Sequence, residues 1–201
     1  MMKKIALVVF CALASLTISA DAATNSLVRF HLTYAGVPVR FGGDVDVALF
    51  DNDKPITVSN FLAYVQSHRY DNSFLNQLVP GVVLQGGEYT VANPYSPAGF
   101  ELATRIPTYP EITNEYVGTI RSNLFGTLGM AKVDGAPNSA NSAWYFNLRD
   151  NSADFDYHNG GYTVFGQVTN ENGLKILSAF ATLYLNHGVL DMNDPIQGAL
   201  G

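Results

Sequence analysis

The chain has 201 residues, 47% of them hydrophobic and 14% charged, enough for one domain with a sizeable core and too few for two of ordinary size. A formal net charge of −6 gives no electrostatic footprint for nucleic acid or for an anionic membrane surface. An aromatic content of 12%, nearly all Tyr and Phe, with 18 Gly and 9 Pro, leans towards strands and turns rather than a helix bundle.

The first 22 residues read as an export leader. Lys3-Lys4 open it, the 14-residue run IALVVFCALASLTI follows, and Ala20-Asp21-Ala22 offers small side chains where a signal peptidase reads. The apolar run is short for a membrane span, and Phe10 ahead of Cys11 argues against a lipoprotein signal. Cleavage is expected after Ala22, with Ala20 as the alternative. It removes Cys11, the one cysteine, and moves the net charge to −7, leaving neither a disulfide nor a thiolate metal site. Residues 23–201 are read as a single domain with its core at about 27–181 and an irregular tail.

LVRFHLT (27–33) sets Val28, Phe30 and Leu32 against Arg29 and His31, the alternation of a half-buried strand. DVDVALF (44–50) repeats the pattern with Val45, Val47 and Leu49. In DNDKPITVSNFLAYVQSHRY the period changes: Ile56, Phe61, Leu62 and Val65 fall near helical spacing. Asp53 can cap this helix, and Pro55 sits in its first turn, where a missing N–H costs nothing; the helix is expected over about 54–67. LNQLVPGVVLQGG leads into a Pro-, Tyr- and Ala-rich loop at 91–110, long enough to be a functional flap or partly ordered. GTLGMAK (126–132) and SAWYFNL (142–148) read as buried strands, with the turn cluster DGAPNSAN between them. NGGYTVFGQV (159–168) is a turn entering a strand, and Leu174, Leu177, Phe180 and Ala181 mark a second helix. Strands outnumber helices and do not alternate with them. The expected class is therefore mainly β, a closed or nearly closed antiparallel sheet with a helix over each opening.

His31, His68, His158 and His187 lie far apart without metal-binding spacing, and the chain has no GxSxG elbow, phosphate loop or dinucleotide fingerprint. Asp150, Asp154 and Asp156 cluster but fail the calcium-loop pattern, and read as turn residues bonding their own backbone. No metal and no cofactor is expected.

Five segments in order carry a resemblance: DVDVALFDNDKPITVSNFLAYV, YDNSFLNQLVPGVVLQGG, ITNEYVGTIRSNLFGTLGMAK, PNSANSAWYFNLRDNSADFDYHNGGYTVFGQV and GLKILSAF. Together they resemble the cyclophilin family of peptidyl-prolyl isomerases, in its bacterial exported form, over about residues 27–181. The resemblance implies a closed eight-stranded antiparallel β-barrel capped by two α-helices, with an apolar groove on its outer face. It implies rotation about X–Pro peptide bonds, which amide resonance opposes by roughly 18–20 kcal/mol, during the folding of exported proteins. Proline-containing polypeptides are the implied partners of a periplasmic monomer, with secretion as the alternative destination. Neither nucleic acid nor, after leader removal, a membrane is implied.

Carried over by position, Gln85 matches the groove glutamine that bonds substrate backbone. Met130 and Tyr145 match the floor and wall of the proline pocket, and Ala131 a neighbouring alanine. Phe155 falls at an apolar position and Tyr162 at a groove His or Tyr. Trp144, adjacent to Tyr145, is expected to point into the barrel core. Other positions depart from the family. Gln77 holds the catalytic arginine's place and Asn76 that of the preceding His; Val82 replaces the phenylalanine after Pro-Gly, Ala143 a groove glutamine, and Asp154 a rim aromatic. Arg69 and Arg105 are the nearest other arginines and lie outside the motif. The amide of Gln77 can donate but lacks the charge and rigid fork of arginine. The resemblance thus implies an isomerase of reduced activity acting through Gln77 and Gln85. The alternatives are a non-catalytic module that binds proline-containing peptides or acts as a chaperone, and a purely structural or docking barrel.

Overall fold

A computed structural model describes residues 9–12, 25–34, 42–92, 103–116, 121–183 and 190–191. Its elements in chain order are β1 (Val9–Ala12), β2 (Leu27–Tyr34), β3 (Gly43–Leu49), α1 (Pro55–Gln66), β4 (Ser73–Phe74), β5 (Gln77–Val79), β6 (Val83–Gly86), β7 (Tyr89–Thr90), β8 (Thr104–Arg105), β9 (Thr127–Met130), β10 (Trp144–Asn147), α2 (Ser152–Phe155), β11 (Val164–Val168), α3 (Glu171–Ala181) and β12 (Leu190–Asp191). The first half of the long loop and most of the tail lie outside the described residues.

The alternation in β2 and β3 sets their register. Val28, Phe30 and Leu32 on one strand, and Val45, Val47 and Leu49 on the other, are all buried. On the outer face Arg29 pairs across to Asp46, its Nε donating to Oδ1 at 2.7 Å. A slip of one residue would turn every one of these apolar side chains to water.

Helix α1 buries Val58, Phe61, Tyr64 and Val65, while Ile56 stays exposed. Asp53 does not cap it; its carboxylate pairs with Arg121. The free N–H groups of the first turn instead find Glu115, from a segment distant in sequence. Ile56 N–H donates to Glu115 Oε1 at 3.1 Å and Thr57 N–H to Oε2 at 2.6 Å. The buried Lys54 reaches the same residue, its Nζ donating to Glu115 O at 2.6 Å. Helix α3 buries Gly173, Ile176, Leu177 and Phe180 and packs on β3.

Among the described residues every strand pairing is antiparallel, in the order β12-β5-β6-β10-β9-β11-β3-β2-β1-β4-β7-β8. Among these residues the strands follow one another in a single curled antiparallel ladder of twelve, with β12 and β8 at its ends. Strand β1, within the expected leader, pairs with β2 and β4 in the full chain. The core fills the inner side of the sheet. There Phe30 meets Trp144 and Phe146 edge-on, with ring centroids at 4.9 and 5.2 Å, the arrangement that aromatic quadrupoles favour.

Candidate functional site

Residues 77–86 form a hairpin whose turn explains its Pro-Gly. Val82 N–H donates to Val79 O at 2.9 Å, and Gly81 takes φ +66 at the third turn position, as a Pro-Gly type II turn requires. The turn fixes Gln77 opposite Gln85, Leu78 opposite Leu84 and Val79 opposite Val83. Leu78 and Leu84 enter the core, so by alternation Gln77, Val79, Val83 and Gln85 share the outer face. The row continues across the sheet from Gln85 to Tyr145 and Gly129. Gly129 is required there: a Cβ would stand 2.6 Å from the Tyr145 ring.

On this outer face lies a cavity of about 370 Å³. Gln77, Gln85, Ala131 and Ala143 line it, joined by Glu88, Arg105 and Lys132. Gln85 Nε2 donates to Glu88 Oε2 at 3.1 Å, and the fully buried Asn76 donates to the same oxygen. Arg105 Nη1 lies 4.0 Å from Glu88 Oε1. Lys132 Nζ donates to Asn159 O at 2.9 Å and Gly161 O at 2.7 Å, and sits 4.7 Å from the Tyr162 ring centroid. Burial lowers its pKa to about 8.

Beside the cavity Tyr145, Phe155 and Tyr162 form an aromatic cluster. Tyr145 lies edge-on to Phe155 at 5.7 Å and to Tyr162 at 6.1 Å, and Phe155 is 5.2 Å from Tyr162. A buried polar network holds the cluster from behind. Burial pushes the Tyr145 hydroxyl well above its ordinary pKa, so it is a donor, and it donates to Asn123 Oδ1 at 2.7 Å. Asn123 Nδ2 donates to Asp156 Oδ1 at 2.8 Å and to Tyr162 O at 3.1 Å. Asn147 Nδ2 donates to Asn123 Oδ1 at 3.1 Å. Asn151 Nδ2 donates onward to Asn147 Oδ1 at 2.7 Å and to Val82 O at 2.9 Å.

The fold therefore brings together Gln77, Gln85, Ala131 and Ala143 at the cavity, and Tyr145, Phe155 and Tyr162 in the cluster beside it. Val82 belongs to the hairpin turn, tied in through its carbonyl. Met130 departs from expectation. It pairs across the sheet with Trp144, is fully buried, and joins Trp144 in the core. It thus lies on the core face of the sheet, opposite to Tyr145. Trp144 points inward as its alternation with Tyr145 requires. Asp154 is exposed on α2. Asp156 is no turn residue: it anchors Asn123 through both backbone and side chain, whereas Asp150 does bond its own turn at Ser152. Arg69 is engaged elsewhere, donating to Pro107 O at 2.7 Å and stacking 3.8 Å from the Tyr109 ring centroid. Sequence reasoning missed Val83, Glu88, Lys132 and Asn123. For Val83 the alternation with Leu84 was an available signal; for the others the contacts that matter join distant segments.

Fold and site together define an antiparallel β protein that carries amide and aromatic side chains on the outer face of its sheet. The chain matches the model of the family described as cyclophilin type peptidyl-prolyl cis-trans isomerase/CLD over residues 36–198. It is 28% identical over 198 residues to a peptidyl-prolyl cis-trans isomerase of Acinetobacter baylyi, covering 98% of this chain and 92% of the relative. It is 31% identical over 150 residues to peptidyl-prolyl cis-trans isomerase B of Escherichia coli, covering 72% and 78%. Among solved structures, a cyclophilin type isomerase of Cryptosporidium parvum, crystallised in the presence of the dipeptide Ala-Pro, superposes with a TM-score of 0.53. That likeness, at 22% identity, covers 73% of this chain and 84% of the other, and shows a common curled antiparallel fold. The chain belongs to the cyclophilin-type peptidyl-prolyl cis-trans isomerase family.

Proposed function

We propose that the protein is an exported, periplasmic prolyl isomerase of low turnover that assists the folding of proline-containing polypeptides. The observation that carries this reading is the pair Gln77 and Gln85, set opposite each other across β5 and β6 on the wall of one cavity. Tyr145 continues their row and leads into the aromatic cluster. An extended peptide seated here would bury its proline ring against the apolar and aromatic side chains. The two amides would donate to its backbone, and those bonds would strengthen as the X–Pro amide twists and loses resonance.

Low turnover follows from Gln77. Removing one preorganised transition-state donor costs about 2.7–4 kcal/mol in other enzymes, roughly a hundred- to thousandfold in rate. A neutral amide in place of an arginine retains the donor and loses the charge and the fork. The same substitution favours a second reading, a module that binds proline-containing peptides without turning them over. The Ala-Pro dipeptide present with the Cryptosporidium relative supports a proline-containing ligand under either reading. Family membership also supports a sheet that closes into an eight-stranded barrel, and the Lys3-Lys4 leader supports export.

Exchange NMR on an X–Pro peptide, with wild type and Gln77→Arg side by side, tests both readings. Exchange faster than in buffer, and faster again in the variant, is the expected result. Exchange at the uncatalysed rate with shifted peptide lines would leave the binding module, and unshifted lines would remove both. For export, mass measurement of the protein from a periplasmic fraction should give a chain beginning after Ala22 or Ala20; an intact Met1 start would refute processing.

A further inference from the structure

Rotation about an X–Pro bond withdraws the nitrogen lone pair from the carbonyl, so a donor close to the twisting amide favours the transition state over the planar ground state. Gln77 and Gln85 supply neutral amides. The same cavity also holds a guanidinium, that of Arg105. Strand β8 pairs Arg105 with Tyr89, and the guanidinium stands 4.9 Å from the Tyr89 ring centroid. Its Nη1 is 4.0 Å from Glu88 Oε1, while the other oxygen of Glu88 accepts from Gln85. One carboxylate thus links Arg105 to the glutamine that faces Gln77.

Three other cations hold direct hydrogen bonds. Arg69 is bonded to Pro107 O and stacked on Tyr109, and Arg149 donates to Asn151. Lys132 is held by two carbonyls over the Tyr162 ring. Arg105 shares the aromatic stacking, on Tyr89, and differs in its exposure and its ion pair. Its side chain is 71% exposed and its ion pair is long, the kind of pair that contributes little and yields readily to a better partner. We propose that Arg105 is a catalytic residue of this isomerase, reaching from β8 to the rotating X–Pro amide and supplying the cationic donor that Gln77 does not. This inference rests on the isomerase reading above.

The test compares wild type, Arg105→Gln, Arg105→Lys and the double variant Arg105→Gln/Gln77→Arg by exchange NMR, on peptides with Glu, Ala or Lys before the proline. Arg105→Gln should lower kcat by about tenfold or more, the low end of what one donor contributes, with little change in peptide affinity and none in unfolding midpoint. Arg105→Lys should restore part of the loss, and the double variant should restore more by placing a guanidinium on β5. Catalysed exchange that is equal in wild type and Arg105→Gln would overturn the role of Arg105 and leave the isomerase reading standing. A loss confined to the Glu-containing peptide, or a loss of affinity that accounts for the whole rate change, would also overturn it, as recognition of charge rather than catalysis. Uncatalysed exchange in wild type would overturn the isomerase reading itself, and this role with it.

Discussion

Substituting Asn123 by alanine tests whether the aromatic cluster is held from behind. Asn123 is fully buried, accepts from Tyr145 Oη at 2.7 Å and Asn147 Nδ2 at 3.1 Å, and donates to Asp156 and Tyr162. Alanine removes all four side-chain bonds at once. Tyr145 is only 3% exposed, so its hydroxyl cannot turn to bulk water, and an orphaned buried donor costs about 1–3 kcal/mol. Asp156 keeps the Asn123 backbone N–H at 3.0 Å, and Asn147 keeps Thr127 Oγ1 at 2.8 Å, so their losses are partial. Together these terms predict a destabilisation of about 3 kcal/mol, large for a single substitution. Tyr145→Phe removes the hydroxyl itself and leaves Asn123 Oδ1 bonded to Asn147, so it should cost only about 1 kcal/mol. In the double variant no orphaned hydroxyl exists, and the combined loss should fall below the sum of the single losses by about 1–2 kcal/mol. Equilibrium urea unfolding followed by the fluorescence of Trp144, the sole tryptophan, measures all three. Additive losses, or an Asn123→Ala cost no greater than that of Tyr145→Phe, would refute the network.

Glu115→Ala should destabilise by about 1–2 kcal/mol, the cost of a lost helix cap, because the Glu115 carboxylate accepts from both Ile56 and Thr57 at the start of α1; an unchanged thermal midpoint would refute the capping role. Gly129→Ala puts a methyl 2.6 Å from the Tyr145 ring, and should cost about 1–3 kcal/mol through overpacking and weaken peptide binding in an NMR titration; wild-type values for both would show that the ring has room to move. Lys132 gives a pH signature. Burial lowers its folded pKa to about 8, from an ordinary lysine value of 10.5. Below pH 8 both states are charged and the folded state carries the whole desolvation cost. Between about 8 and 10.5 the folded protein releases its proton first, so stability rises with pH there. Relative to Lys132→Gln, wild type should gain stability across that window, and a flat or falling difference would contradict the shift.

The parts of the fold that were legible in the sequence are those governed by local period. β2 and β3 alternate because one face is wet, and α3 repeats every three to four residues for the same reason. The start of α1 was not legible. Asp53 stands where a cap should be, yet Arg121 takes its carboxylate, and Glu115 arrives from another segment. A capping residue distant in sequence leaves no mark on the local pattern.

The candidate site shows the same boundary more sharply. The row from Gln77 to Gln85 was readable because a Pro-Gly turn fixes hairpin register. The face on which Met130 lies was not, because all four residues of β9 are buried, as are all four of β10. A strand covered on both sides loses its alternation, so a groove residue and a core residue look alike, and only the pairing of Met130 with Trp144 separates them. Asn123 in RSNLFG carries no local signal either, since a buried network hub and a loop asparagine are the same letter. The charged wall of the cavity is a product of topology: Glu88 follows β6 directly, whereas Arg105 is brought to it only by the pairing of β8 with β7. The motif position thus carries Gln77 while the cavity carries Arg105, and the proposed reaction requires only that a donor reach the rotating bond, from whichever strand carries it.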